Sequence, residues 1–422
     1  MRWVARTASE GRTASTTVAA LLLAAILAVP ALGDPQNGPP SESPADGERP
    51  EQVPAAGDDR YATAAKVATS AYEDAEAVIL ATGEEFADAL AGASLGGALD
   101  APLLLTPSDL DEDGELPEVV LDAIDELGAD TAYLLGGEGA ISEAVADHLE
   151  DHTEADDTAI NVERVRGGDR VETAAEVARE AAAQDAGAGT VEIDGEDVRV
   201  AFVATSEDFP DAVAAGPGAF ATGAPMLLTG ADELDETVEE ALEELDVDKA
   251  FVLGGEAAVS DDVLAAVEEL VGDATRLADE DRWGTAVAVA ERFGEDGFDF
   301  PVEQVGVATG RDFADALAAS SSLGRAEAPL VLADENEDGE LPPAPAEYLE
   351  ANGCEITWVH VFGGESAVGE SVREQVLDFA ACVADDSADP GPPEDDEDEE
   401  DEEDEEEEDD EDDEDEEDED DD

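Results

Sequence analysis

Aspartates and arginines recur three times at matched places in this 422-residue chain, and their types suit them best to chemistry. Asp88, Asp211 and Asp315 each sit in a Phe-x-Asp-Ala-(Leu/Val) run. Arg60, Arg170 and Arg282 each open an Arg-x-x-Thr-Ala run with Thr63, Thr173 and Thr285. Two kinds of interaction are open to them. A carboxylate in the first turn of a helix faces unpaired N–H groups and gains roughly 0.3 to 1 kcal/mol. A guanidinium can instead make a fork-like pair with a carboxylate of its own or the neighbouring copy. Pairing between copies would stitch them into one body. A catalytic role fits less well, because many enzymes concentrate their chemistry in one irregular site, whereas a threefold recurrence describes a surface or an interface.

Between each Arg and its Asp lies a loop: Thr82-Gly83, Thr205-Ser206 and Thr309-Gly310. These candidate ligand loops are expected to leave the carboxyl ends of strands, where open α/β sheets bind ligands. Glycine allows close backbone approach, and helix N-termini offer N–H groups to anions. Glu84-Glu85 and Glu207-Asp208 stand beside the first two loops, so a bare anion is repelled unless a divalent cation bridges. No organic cofactor is indicated, and divalent cations are the one species of that kind the residues admit. His148 and His152 are four apart, but His-Leu-Glu-Asp-His lacks the Glu that follows the first His of a zincin, and His360 completes no ligand array. Neither a Gly-x-x-x-x-Gly-Lys loop nor a Gly-x-Ser-x-Gly elbow is present. With 117 carboxylates, pairs resembling a glycosidase dyad are expected by chance.

The elements that must position these residues follow from hydrophobic patterning. Short apolar runs such as 77–81, 102–106 and 131–135 alternate with helical stretches such as 117–127, where Val120, Leu121, Ile124 and Leu127 share a face. Continuous apolar strands alternating with helices predict a parallel sheet covered on both faces, an α/β fold. The motif arginines are 110 and 112 residues apart, so each copy is large enough to be a small domain. Gly136-Gly137, Gly254-Gly255 and Gly363-Gly364 end the last strand of each copy. Ser142 and Ser260 then take helix-cap positions, which Gly369 fills in the third copy. The second copy carries an insertion over 184–199. Cys354 and Cys382 read either as a disulfide tying the strand region to the final helix or as buried thiols.

The formal net charge is -99, yet hydrophobic residues make up 42% of the chain. A disordered chain needs low hydrophobicity as well as high charge, so the body is expected to fold. Small apolar core residues under a carboxylate surface suit concentrated salt, where self-repulsion is screened. Nucleic acid is excluded as a direct partner for want of a basic footprint. Residues 1–33 read as a signal peptide, with Arg2, Arg6 and Arg12 ahead of the apolar run 18–29. An uncleaved anchor is the alternative. With the signal removed, the protein is not expected to be an integral membrane protein. Residues 34–56 read as a flexible leader. The copies are bounded at 57–163, 164–275 and 276–384, with a disordered polyacidic tail at 385–422. From Glu394 onward every residue is Asp or Glu, which suits a solubility tail or a weak reservoir for divalent cations.

The ordered motifs resemble those of the cell wall binding repeat 2 family of secreted proteins. The resemblance rests on Arg60-Tyr61-Ala62-Thr63-Ala64, the run from Thr82 to Leu90, Pro102 to Thr106 and Gly136-Gly137, and on their second and third copies. It covers about 330 residues. The later copies depart from it where Tyr61 becomes Val171 and Trp283, and where Gly83 becomes Ser206. The resemblance implies three tandem Rossmann-like parallel-sheet units without nucleotide fingerprints, in a pseudo-threefold arrangement. It further implies a secreted, non-catalytic protein of the cell surface, held non-covalently to an anionic wall polymer. Combined with the charge, it suggests a halophilic archaeal host. The partner expected there is a cell-envelope polymer, a surface glycan or an S-layer glycoprotein. A secreted hydrolase acting on cell-envelope polymers is the alternative, and a solute-binding protein fits poorly because three equivalent units do not make a two-lobed cleft.

Overall fold

The computed structural model describes residues 49–152, 159–193, 195–208, 210–294, 297–336 and 339–382. The signal peptide, most of the leader, Phe209 and the acidic tail lie outside the described residues. The first element is β1 (Glu51–Ala55). The first unit continues with α1 (Arg60–Ala71), β2 (Ala77–Thr82), α2 (Ala87–Leu99), β3 (Leu103–Thr106), α3 (Glu118–Leu127), β4 (Thr131–Leu135), α4 (Glu143–Asp151) and β5 (Asn161–Val165). The second has α5 (Arg170–Gln184), β6 (Thr190–Ile193), β7 (Glu196–Thr205), α6 (Pro210–Val213) and α7 (Gly216–Thr222). It ends with β8 (Met226–Thr229), α8 (Glu236–Glu244), β9 (Lys249–Leu253), α9 (Asp261–Val271) and β10 (Ala274–Leu277). The third has α10 (Arg282–Ala290), β11 (Gln304–Ala308), α11 (Ala314–Arg325), β12 (Leu330–Leu332), α12 (Pro343–Asn352), β13 (Trp358–Phe362) and α13 (Glu370–Phe379).

Each unit builds a four-stranded parallel sheet, in the orders β3-β2-β4-β5, β8-β7-β9-β10 and β12-β11-β13-β1. The central strands are buried along their apolar runs, β7 from Val200 onward and the others nearly throughout. The insertion of the second unit forms β6, which pairs antiparallel with the start of β7. Ser142 and Ser260 cap α4 and α9 by accepting from Val145 N and Val263 N, each at 3.3 Å, while Gly369 offers no side chain to α13. Cys354 and Cys382 are bridged, joining the turn after α12 to the residues beyond α13.

The expected leader therefore ends earlier than residue 56. Glu51–Ala55 is the fourth strand of the third unit's sheet, laid beside β13 with Ala55 opposite Phe362. The backbone bonds Gly136 N to Val165 O, Gly254 N to Leu277 O and Gly363 N to Ala55 O are all 2.9 Å, so β5, β10 and β1 hold one structural position. The sequence hid this because Gln52-Val53-Pro54-Ala55 is too short and polar to read as a strand. Pro54 is tolerated because β1 lies on a sheet edge.

Helices α2, α7 and α11 pack on one another, and the three sheets are joined through them. Their contact faces are small residues. A Cβ at Gly97 would run into the carbonyl oxygen of Phe220, so α2 and α7 approach at glycine distance. In the second unit the equivalent of α2 is split into α6 and α7 at Ala214-Ala215, because Pro217 in the first turn of α7 has no N–H with which to continue the helix from α6. Outward from this centre, α2 packs on α5, α6 on α10 and α11 on α1, each a contact with the following unit. The first unit is thus joined to the third, and the seams close a ring.

Candidate functional site

The arginine of each repeat begins a helix, and the residue before it caps that helix. Asp59 accepts from Ala62 N at 2.9 Å. Asp169 accepts from Val171 N and Glu172 N, each at 3.0 Å, and Asp281 from Trp283 N and Gly284 N at 3.1 and 2.9 Å. These caps fix α1, α5 and α10 so that each guanidinium turns back over its own sheet. Arg60 donates to Gly83 O, Arg170 to Ser206 O at 3.0 Å and Arg282 to Gly310 O at 2.6 Å. The other side of the guanidinium faces the preceding unit. Arg170 pairs with Glu85 at 3.1 Å and lies over the Phe86 ring, 5.8 Å from its centroid. Arg60 pairs with Asp312 at 3.4 Å and lies 5.6 Å from the centroid of Phe313. Pairing across unit boundaries thus occurs, but the direct partner is the acidic residue just before the phenylalanine rather than Asp88 or Asp315.

Those aspartates sit in the first turns of α2, α6 and α11 as expected. Burial pushes Asp88 up to about 6, with Arg170 opposing and Glu85 adding. Burial also raises Asp211 and Asp315. The Thr285 hydroxyl and Arg282 oppose it at Asp211. At Asp315, Asp312 adds to it, while the Thr63 hydroxyl and Arg60 oppose it. Each carboxylate lies against the first glycine of its unit's Gly-Gly pair. Gly136, Gly254 and Gly363 all have φ +94, and a Cβ on any of them would strike Asp88, Asp211 or Asp315. The motif threonines are the remaining piece. Thr63, Thr173 and Thr285 accept from Gly57 N, Gly167 N and Asp279 N at 3.0, 3.0 and 3.3 Å, and Thr63 and Thr285 also donate to the preceding unit's aspartate. Arg, Thr, Asp and Gly are therefore one cross-unit cluster.

A second set of arginines serves the same frame and was missed in the sequence. Arg164 donates to Gly136 O and Ile141 O at 3.1 and 2.9 Å, and Arg276 to Gly254 O and Val259 O, both at 2.7 Å. Each rises from the fourth strand six residues before the motif arginine. In the third unit Pro54 occupies that place, and Arg373 from α13 reaches Gly363 O and Val368 O at 2.7 and 2.8 Å instead. The Gly-Gly loop is tied in every unit, by a guanidinium supplied from either side. Two arginines six residues upstream of a repeated arginine were a legible signal in a chain with 18 basic residues. So was the Asp before each motif arginine.

The candidate ligand loops are turned mostly inward, although Thr82 and Thr205 reach the walls of two clefts and Ser206 is half-buried. Thr82, Thr205 and Thr309 are buried, and their hydroxyls accept from the N–H two residues on, each at 3.2 Å. The carbonyls of Gly83, Ser206 and Gly310 are taken by the motif arginines. What remains exposed is Glu84-Glu85, Glu207-Asp208 and Arg311-Asp312. Beside them are clefts of about 420 Å³ between units one and two and about 360 Å³ between units two and three. Glu84, Asp88, Asp169 and Arg170 line the first, and Glu207, Asp211, Asp281 and Arg282 the second. His152 pairs with Asp125 at 2.8 Å, and His360 is buried on β13 against Gln304, its pKa pushed down to about 4 by burial. Among the described residues, no group of three or more His, Cys, Asp or Glu is arranged to hold a metal. No helix among them is long and apolar enough to cross a membrane.

Comparison with known proteins agrees with this architecture. The model of cell wall binding domain 2 (CWB2) matches residues 55–146, 164–264 and 276–373, more than half the chain. The N-acetylmuramoyl-L-alanine amidase LytC of Bacillus subtilis (strain 168) is 24% identical over 276 residues, covering 65% of this chain and 49% of the relative. The amidase enhancer of the same organism is 24% identical over 325 residues, covering 76% of this chain and 40% of the relative. The chain spans half or less of the length of these curated relatives. Among solved structures, Cwp6 from Clostridium difficile superposes with a TM-score of 0.66 at 19% identity, over 79% of this chain and 48% of that one. Cwp8 from the same organism gives 0.63 at 25% identity, over 79% and 52%. Three matched segments on three structurally equivalent units make the chain a member of the cell wall binding domain 2 family.

Proposed function

We propose that the three-unit body holds this protein non-covalently to a polymer of the cell envelope, at the carboxyl ends of its strands. The reading is carried by the ring of seams: one cluster of Arg, Thr, Asp and Gly recurs at each junction, and acid-lined clefts with a single arginine open beside two of them. Such a cleft repels a bare polyanion, and a net charge of -99 adds to the repulsion at range. The ligand is therefore a surface glycan, or the glycan of an S-layer glycoprotein, with divalent cations bridging any acidic groups. The same charge suits a host living in concentrated salt. The test is sedimentation of the purified protein with envelopes in high salt. Association that is released by a chelator or by low salt supports the reading, and failure to associate at any divalent concentration overturns it.

A further inference from the structure

The third unit differs from its siblings at one point of its carboxyl edge. Trp283, Arg311 and Asp334 stand where the first unit has Tyr61, Glu84 and Pro107, and the second Val171, Glu207 and Gly230. In those units a backbone carbonyl at the end of β3 or β8 accepts from the loop: Gly83 N to Thr106 O at 2.9 Å and Ser206 N to Thr229 O at 2.8 Å. In the third unit the Asp334 carboxylate takes over, accepting from Gly310 N at 2.9 Å and from the Thr309 hydroxyl at 2.6 Å. The same carboxylate accepts from Trp283 Nε1 at 2.9 Å and lies 3.5 Å from Arg311 Nε. Its side chain is 1% exposed, while that of Arg311 is 65% exposed. Arg311 is further held by donation to Glu335 O at 2.7 Å.

A buried carboxylate with four partners is thus holding a partly exposed indole and an exposed guanidinium side by side. On a folded body whose surface is mostly acidic, this is a placed pair rather than a solvated face. We propose that Trp283 and Arg311 form a binding site for a neutral pyranose of a surface glycan. An indole face suits the C–H patch of a sugar ring, and a planar guanidinium with spare donors suits a pair of ring hydroxyls. Nearby Asp281, Asp312 and Glu335 can accept from hydroxyls, and they disfavour an acidic sugar. The site rests on the envelope-binding reading and names the chemistry of one of its contacts.

The full chain carrying Trp3→Phe and Trp358→Phe has Trp283 as its one tryptophan. Its emission is titrated with chitotriose and maltotriose, and with a hyaluronan tetrasaccharide as the acidic comparison. The expected result is a saturable change with a neutral sugar that Arg311→Gln weakens about tenfold while the melting temperature is unchanged. No saturable response to either neutral sugar up to roughly 10 mM overturns the site. So does an unchanged affinity in Arg311→Gln, or tighter binding of the acidic sugar. Envelope sedimentation of the same proteins separates the two ideas. A missing sugar response with sedimentation retained removes this site alone, and loss of both removes the envelope reading as well.

Discussion

Gly136 and Asp88 carry the sharpest consequences of the seam at the level of single residues. Gly136 has φ +94 and abuts the Asp88 carboxylate, whereas nothing lies within 4 Å of a Cβ built on Gly137. Gly136→Ala is expected to destabilise by at least about 2 kcal/mol, from left-handed strain and displacement of the carboxylate. Gly137→Ala should stay within about 0.5 kcal/mol of the parent in the same denaturant titration. Asp88 makes a prediction in pH. Its folded pKa of about 6 lies above the unfolded value, so its contribution is full below about 4 and lost as pH rises through about 6. Asp88→Asn cannot ionise and should gain up to about 3 kcal/mol over the parent at pH 8, with the advantage gone by pH 4. His360 acts with opposite sign, losing stability as pH falls from about 6.5 through about 4, so the mutant must be compared with the parent at each pH. An advantage for Asp88→Asn that is constant with pH would refute the burial argument.

At the scale of elements, β1 is the strand whose position in the chain and place in the fold disagree. It precedes the first unit yet completes the third unit's sheet, and Arg49 beside it pairs with Asp378 on α13. A chain beginning at residue 57 should therefore expose Trp358, which is 5% exposed on β13 opposite Glu51. The expected readout is a red-shifted emission with stronger acrylamide quenching and a lowered melting temperature, while a chain beginning at residue 49 matches the parent. If both truncations behave alike, β1 is not a structural strand. The unbroken apolar runs of β2, β7 and β11, the Ser142 and Ser260 caps and the threefold order of motifs were legible in the sequence because each is local. β1 was not, since an edge strand buried on one side needs no apolar run, and its partner lies some 300 residues away. The site was half legible for the same reason. That Arg60 and Asp315 belong to one cluster follows from ring closure, which no local pattern records.

For the molecule as a whole, the question is what concentrated salt does to a body with this charge. Two effects of salt would both raise stability, and they differ in form. Screening shortens the Debye length from about 10 Å at 0.1 M to about 3 Å at 1 M, so relief of self-repulsion is nearly complete by then. Strengthening of apolar burial by excluded salts instead continues to rise with concentration and is larger for sulfate than for chloride. The core is dominated by alanine, valine and leucine, with aromatics at 4% of the chain, so its apolar area per residue is modest while its surface repulsion is large. Screening should therefore dominate. The melting temperature is expected to climb steeply between 0.1 and about 1 M NaCl and then flatten, with Na₂SO₄ matching NaCl at equal ionic strength over that range. Most of that gain should persist in a chain ended at Ala384, because the acidic residues spread through all three units remain. A linear rise into the molar range, steeper for sulfate, would assign the salt response to apolar burial and make relief of surface self-repulsion the minor effect.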